Sequence, residues 1–321
     1  MSTTVPLPSN SRRMTWEDVP AEVVDAIAAQ AGATVASANG ATFGFSPGFA
    51  GVVTFADGKR TFLKVMSAER DPWSIDINRR EAEILAALPP EVPAAALLWM
   101  LELEPWLVFA TEAVDGDHPS PATDAGDAAV MWDVMTHLAT VPAPAHLPPF
   151  HEYQHDVLDR WQTLASAPDR DARLASLGAD GEWVATHLDS LLTWEREAID
   201  ASKGDALVHG DLRADNVLVA ESRAVIVDWP HAARGAAWLD LAAYLPSFEM
   251  NGGGSAAKAF RAHPLSHGVS VAHELAIVAA LAGYFTVMST EPPAPPLPGL
   301  REFQRAQATP ALNWLRELAQ A

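Results

Sequence analysis

Cysteine is absent from the 321-residue chain, which excludes disulfides, thiolate nucleophiles and Cys-ligated zinc. Basic side chains are scarce: 21 Lys plus Arg stand against 41 Asp plus Glu, a formal net charge of −20. That balance argues against tracking nucleic-acid phosphates or settling on anionic membranes, so neither is expected as a partner. Only Lys59, Lys64, Lys203 and Lys258 are lysines, which makes the place of each informative. Arg12 and Arg13 are followed by no apolar run, so no signal peptide is expected. The longest strongly apolar stretch, Leu275 to Met288, reads as too short to span a bilayer. A cytoplasmic protein is the expectation. With 49% hydrophobic residues the chain has ample material for one large domain or two modest ones.

What is present divides the chain in two. Residues 15–31 predict an opening helix, stopped by Gly32. Thr42–Phe45, Gly51–Phe55 and Arg60–Met66 predict three strands, with Asp57-Gly58 turning between the last two. A helix is expected over Ile75–Leu88, then strands over Trp99–Leu103 and Trp106–Ala113. Beyond Gly116 the texture is helical, at Ala125–Thr140, His155–Leu164, Gly181–Asp200 and again from Leu239. One β-like island interrupts it, at Leu207–Val208, Val217–Val219 and Ala224–Val227.

The island carries the chemistry. Its last two apolar runs are short and β-branched, so they should pair across the polar turn between them. A hairpin centred on Ser222 sets Asn216 opposite Asp228. An amide oxygen beside a carboxylate offers hard ligands suited to Mg²⁺. Asp211 enters the same end of the hairpin, where a carboxylate can orient a hydroxyl towards a phosphate.

His209-Gly-Asp211-Leu-Arg-Ala-Asp-Asn216, followed by Val227-Asp228-Trp229, resembles the signature of the aminoglycoside phosphotransferase and choline kinase families. The resemblance implies an α+β, two-lobed protein-kinase-like fold: a nucleotide-binding lobe over residues 1–113 and a helical lobe over 114–321. It implies that Asp211 is the base that receives the acceptor's proton. Asn216 and Asp228 would hold Mg²⁺ on the phosphates of ATP or GTP, and Arg213 would face the γ-phosphate. His209 would brace the loop, and Asp240, opening the next helix, would support it. Such a fold needs a strand lysine held by a helix glutamate. Lys64 fits the first role. Ile77, Glu81, Leu85 and Leu88 form one helical stripe, which turns Glu81 inward and Glu83 away. The loop containing Ser46 and Gly48 would cover the phosphates, although it lacks GxGxxG. The backbone near Glu112 and Val114 would meet the base of the nucleotide.

The expected activity is transfer of a γ-phosphoryl group to a hydroxyl of a small acceptor. The acidic helical half suits a cationic one, with an aminoglycoside-like antibiotic the first choice and choline, a macrolide, a peptide antibiotic or a sugar still open. Only ten residues separate Trp229 from Asp240, too few for the long activation segment of a protein kinase. Two alternatives stay open: a metal phosphoesterase using His209, Asp211, Asp228 and His231, and a kinase-like binding module without activity.

Overall fold

A computed structural model describes residues 13–41, 45–220 and 223–320. The expected opening helix is divided by Pro20, which removes a backbone donor: a single turn at Trp16–Asp18 precedes α1 (Ala21–Ala31). Next come β1 (Val35–Gly40), β2 (Phe49–Phe55), β3 (Arg60–Ser67), α2 (Pro72–Ala87), β4 (Leu97–Leu103) and β5 (Trp106–Glu112). The five strands form one antiparallel sheet in the order β1-β2-β3-β5-β4. The first strand is thus Val35–Gly40; of the expected strand Thr42–Phe45, residues 42–44 lie outside the described residues. β1 escapes sequence reading because no position along it is buried, so it shows no alternation.

α1 covers one face of this sheet, burying Val23 and Ile27 against Phe49, Val53, Leu63 and Val65. α2 begins three residues before its expected start: the Asp71 carboxylate caps it by accepting the Trp73 N–H at 3.1 Å, and Pro72 sits at its first position. Its buried face runs through Ile75, Asn78, Glu81 and Ala82 rather than through the expected stripe, whose Ile77, Leu85 and Leu88 are half-buried. Glu81 is buried and Glu83 exposed, as the stripe required.

The rest of the chain is mainly helical: α3 (Ala125–Leu138), α4 (Phe150–Tyr153), α5 (Arg160–Ser166), α6 (Arg170–Ser176) and α7 (Ala179–Ala201). The predicted helix His155–Leu164 is broken into a turn at 155–157 and α5. Then follow β6 (Ala206–Val208), β7 (Val217–Ala220), β8 (Arg223–Ile226) and β9 (Ala233–Gly235), with β6 paired to β9 and β7 to β8. The chain continues through α8 (Leu239–Met250), α9 (Ala256–Ala262), α10 (Val271–Met288) and α11 (Leu300–Ala319). An α+β architecture results, with a sheet-rich N-terminal part and a helical C-terminal part.

α10 corrects one expectation. At 18 residues it is long and apolar enough to cross a membrane, yet 67% of it is buried inside the fold against α7 and α11. It is the central core helix, apolar on nearly every side because helices surround it.

The hairpin β7–β8 is clasped where the two parts meet. Val219 exchanges both backbone hydrogen bonds with Asp117, at 2.9 and 3.2 Å, and the Ile226 N–H donates to Pro93 O at 2.6 Å. Within the helical part, Glu195 of α7 caps α5 from a distance. It accepts the Trp161 and Gln162 N–H groups at 2.7 and 2.9 Å while itself buried. Replacing Glu195 by Ala leaves the buried Trp161 N–H and the part-buried Gln162 N–H without their acceptor; a loss of roughly 2–3 kcal/mol is expected, measured as a lower urea midpoint.

Candidate active site

Pairing in the β7–β8 hairpin runs from Val217 opposite Ile226 to Ala220 opposite Arg223, one residue out of the register that a centre on Ser222 required. The strands continue closer to the turn than expected. Asn216 therefore faces Val227, whose N–H donates to Asn216 O at 2.9 Å. Asp228 lies one residue further on and reaches the same end by another route. Its φ is +67°, the left-handed region that a non-glycine residue enters only at a cost.

The segment ahead of the hairpin is fixed by two buried side chains. Asp240, opening α8, accepts the His209 N–H at 2.8 Å and the Gly210 N–H at 3.0 Å. His209, fully buried, donates from Nε2 to Val227 O at 3.1 Å and accepts the Asp211 N–H at Nδ1, at 3.3 Å. Those two bonds require the neutral imidazole, consistent with a pKa lowered mainly by burial. Gly210 has φ +81°, and a Cβ there would stand 2.5 Å from His231 O, so only glycine lets the two loops touch.

Asp211 emerges beside Asn216. The Asn216 amide nitrogen donates to Asp211 O at 2.8 Å and to its carboxylate at 3.3 Å. Burial raises the pKa of Asp211, with the Arg213 guanidinium pulling the other way. Arg213 NH1 donates to Asp211 Oδ1 at 3.1 Å, while its Nε and NH2 fork onto Asp215 at 3.0 and 2.7 Å. With Phe45 and Phe303 near its guanidinium, Arg213 is engaged and mostly covered rather than held out towards a ligand.

Lys64 links the two parts of the molecule. From β3 its Nζ reaches Glu81 Oε2 at 2.5 Å and Asp228 Oδ1 at 2.8 Å. Burial opposes the Lys64 charge, but the fields of Asp228 and Glu81 outweigh it and raise its pKa. Asp228, 45% exposed, is also opposed by burial, yet Lys64 draws its pKa down to about 2. Glu81, 4% exposed, is pushed up to about 7 by burial, with Lys64 pulling against the rise. One ammonium thus serves two carboxylates, and the half-exposed one is firmly ionised.

The remaining predicted residues lie along the sheet. Ser46 Oγ donates to Met66 Sδ at 3.2 Å and accepts the Gly48 N–H at 3.3 Å. A Cβ on Gly48 would fall 2.4 Å from Val65 O, so that glycine is explained by close approach to β3. At the end of β5 the Glu112 carboxylate pairs with Arg223 at 3.0 Å, and its N–H donates to Ala96 O at 2.9 Å. Val114 follows, ahead of Asp115, which pairs with Arg60 at 2.5 Å. Sequence reasoning missed Asp215 as the partner of Arg213, and Arg80 and Tyr153, which grip the loop after Asp228. An arginine beside a glutamate on a helix carries no local sign of its target.

A sequence profile of the phosphotransferase enzyme family matches residues 52–275, from β2 into α10. The chain belongs to that family. No curated protein sequence matches it. Among solved structures it is similar to the aminoglycoside phosphotransferase APH(4)-Ia in complex with AMP-PNP and hygromycin B. That match has a TM-score of 0.57 at 17% identity, covering 94% of this chain and 98% of that one. It is also similar to a choline/ethanolamine kinase family protein from Mesorhizobium loti, with a TM-score of 0.56, 15% identity and coverage of 94% and 93%. Choline kinase LicA from Streptococcus pneumoniae gives 0.53, 13% identity and coverage of 92% and 98%. At these identities the likeness establishes the fold, which is the kinase-like two-lobed one. It covers 94% of the chain, far beyond the motifs that carried the likeness in sequence.

Asp240 is the buried group on which the backbone of the His209–Asp211 loop hangs. Asp240→Ala leaves two amides without an acceptor and should cost about 2–4 kcal/mol, with faster hydrogen exchange at His209 and Gly210.

Proposed function

We propose that this phosphotransferase moves the γ-phosphoryl group of ATP or GTP to a hydroxyl of a small acceptor, with Asp211 as the base. The observation that carries the reading is the convergence of Lys64, Glu81, Asp228, Asp211 and Asn216 from four separate stretches of chain. In this reading residues 1–113 bind the nucleotide and 114–321 hold the acceptor.

The donor set fits Mg²⁺. Asn216 spends its amide nitrogen on Asp211, which leaves Oδ1 as a free oxygen, and Asp228 gives Oδ1 to Lys64 and keeps Oδ2. These are hard oxygens, the ligands that ion prefers. When bound, the ion supplies positive charge for the phosphates and lowers the barrier to displacement between oxygens. Lys64, kept protonated by its two carboxylates, orients Asp228 and offers its charge to the phosphates. Ser46 and Gly48 lie in the loop over them, and the backbone at Glu112 and Val114 receives the base.

Asp211 takes the acceptor's proton. Burial lifts its basicity above that of a solvated carboxylate, and Asn216 and Arg213 fix its orientation. The fit of Arg213 is to Asp211 and Asp215, so its role is to hold the base and not to reach the γ-phosphate. For the acceptor, the net charge of −20 supports a cationic molecule, and two similar structures belong to an aminoglycoside phosphotransferase and a choline kinase.

Screening hydroxyl acceptors by coupled ADP or GDP release tests the reading; hydrolysis of phosphomonoesters without nucleotide would overturn it. With an acceptor in hand, Asp211→Asn should lower kcat at least about a thousandfold with nucleotide affinity unchanged. Arg213→Gln removes the cation that lowers the Asp211 pKa. The base then protonates at higher pH, and the acid limb of the kcat/KM profile should move upward.

A further inference from the structure

α2 carries two consecutive side chains that reach one loop. Glu81 holds Lys64, which holds Asp228. Arg80, its neighbour, donates from Nε to Pro230 O at 2.9 Å and from NH2 to Ala232 O at 2.7 Å. Beneath the guanidinium lies the ring of Tyr153 from α4, 3.8 Å from the centroid. The Tyr153 hydroxyl donates to the same Pro230 O at 2.9 Å. That carbonyl therefore accepts from both parts of the molecule.

These contacts bracket the strained residue. Ahead of Asp228, Val227 is held at its N–H by Asn216 and at its carbonyl by His209. Behind it, Pro230 and Ala232 are held by Arg80 and Tyr153. A left-handed aspartate persists only where its surroundings over-determine it. The first bracket is built within the helical part, from Asn216 and His209; the second brings in Arg80 from the sheet-bearing part.

The geometry points to Arg80, seated on Tyr153, as a positioning residue for Asp228. It ties the helix that bears Glu81 to the loop that bears the proposed metal carboxylate, so the aim of that carboxylate depends on where α2 sits. The inference rests on the reading of Asp228 given above. An arginine is suited to the task because its fork meets two carbonyls in fixed geometry, whereas an ammonium on a flexible stem does not reproduce that fork.

The test compares wild type with Arg80→Ala, Arg80→Lys, Tyr153→Phe and Arg79→Ala. Arg79 is the control, since its partners are Asp76 and Glu102. Hydrogen exchange is followed at residues 227–233, and ATP and GTP binding is titrated with Mg²⁺ and with EDTA. Arg80→Ala should speed exchange in that segment selectively and weaken Mg²⁺-dependent nucleotide binding at least about tenfold, with binding in EDTA unchanged. Arg80→Lys should recover part of this, and Tyr153→Phe, which keeps the ring face, should lose less. Wild-type exchange at 227–233 in Arg80→Ala, or loss of protection spread evenly over the chain, would overturn the proposal. A wild-type protein that binds neither nucleotide would sink the functional reading instead, and the exchange data would still decide whether the clamp holds the loop.

Discussion

A single ammonium joins the two parts of the molecule at the site. Lys64 starts on a strand that belongs to the N-terminal sheet and ends between a glutamate on α2 and an aspartate beyond β8. An unpaired lysine so covered would be costly, and so would a buried Glu81, so each is tolerable because of the other. Asp228 adds a third member from the far side, which makes the geometry of sheet, helix and hairpin mutually dependent. The neutral His209 and the buried Asp240 extend that dependence into the helical core by fixing the backbone that leads into Asp211 and the carbonyl of Val227 ahead of Asp228.

The charge balance takes on a sharper meaning in this setting. Lys64 and Arg213, the cations bonded to the carboxylates of the site, are already matched: Lys64 by Glu81 and Asp228, Arg213 by Asp211 and Asp215. The pocket is therefore not a standing positive well inside an acidic protein. In the proposed reaction the Asn216 and Asp228 oxygens would hold the divalent cation that offsets the charge of the nucleotide.

The sequence made legible whatever is coded within a few residues. The run from His209 to Asp228 pointed to a hairpin with Asn216 and Asp228 near its open end, and helical spacing singled out Glu81 over Glu83. Pairings between distant segments were another matter. β1 has no alternating burial to reveal it, and β9 is three residues long and exists only because β6 lies beside it. The hairpin register slipped by one because pairing depends on the turn, which composition does not fix. Gly48 suggested a phosphate loop, and its tight contact is with β3. Arg213 was expected to face the γ-phosphate because its clasp by Asp215 requires the folded loop.

α10 has a further consequence for the way the protein is made. Its side chains are apolar on nearly all faces, and α11 covers one of them, with the Trp314 indole donating to the buried Glu274 carboxylate at 2.9 Å. On the ribosome α10 is finished first, and the chain from Met288 to Ala319 takes roughly 2–6 s more to appear. Until α11 folds back, the face of α10 that it buries has no cover, so that part of the core closes only after α11 has been made.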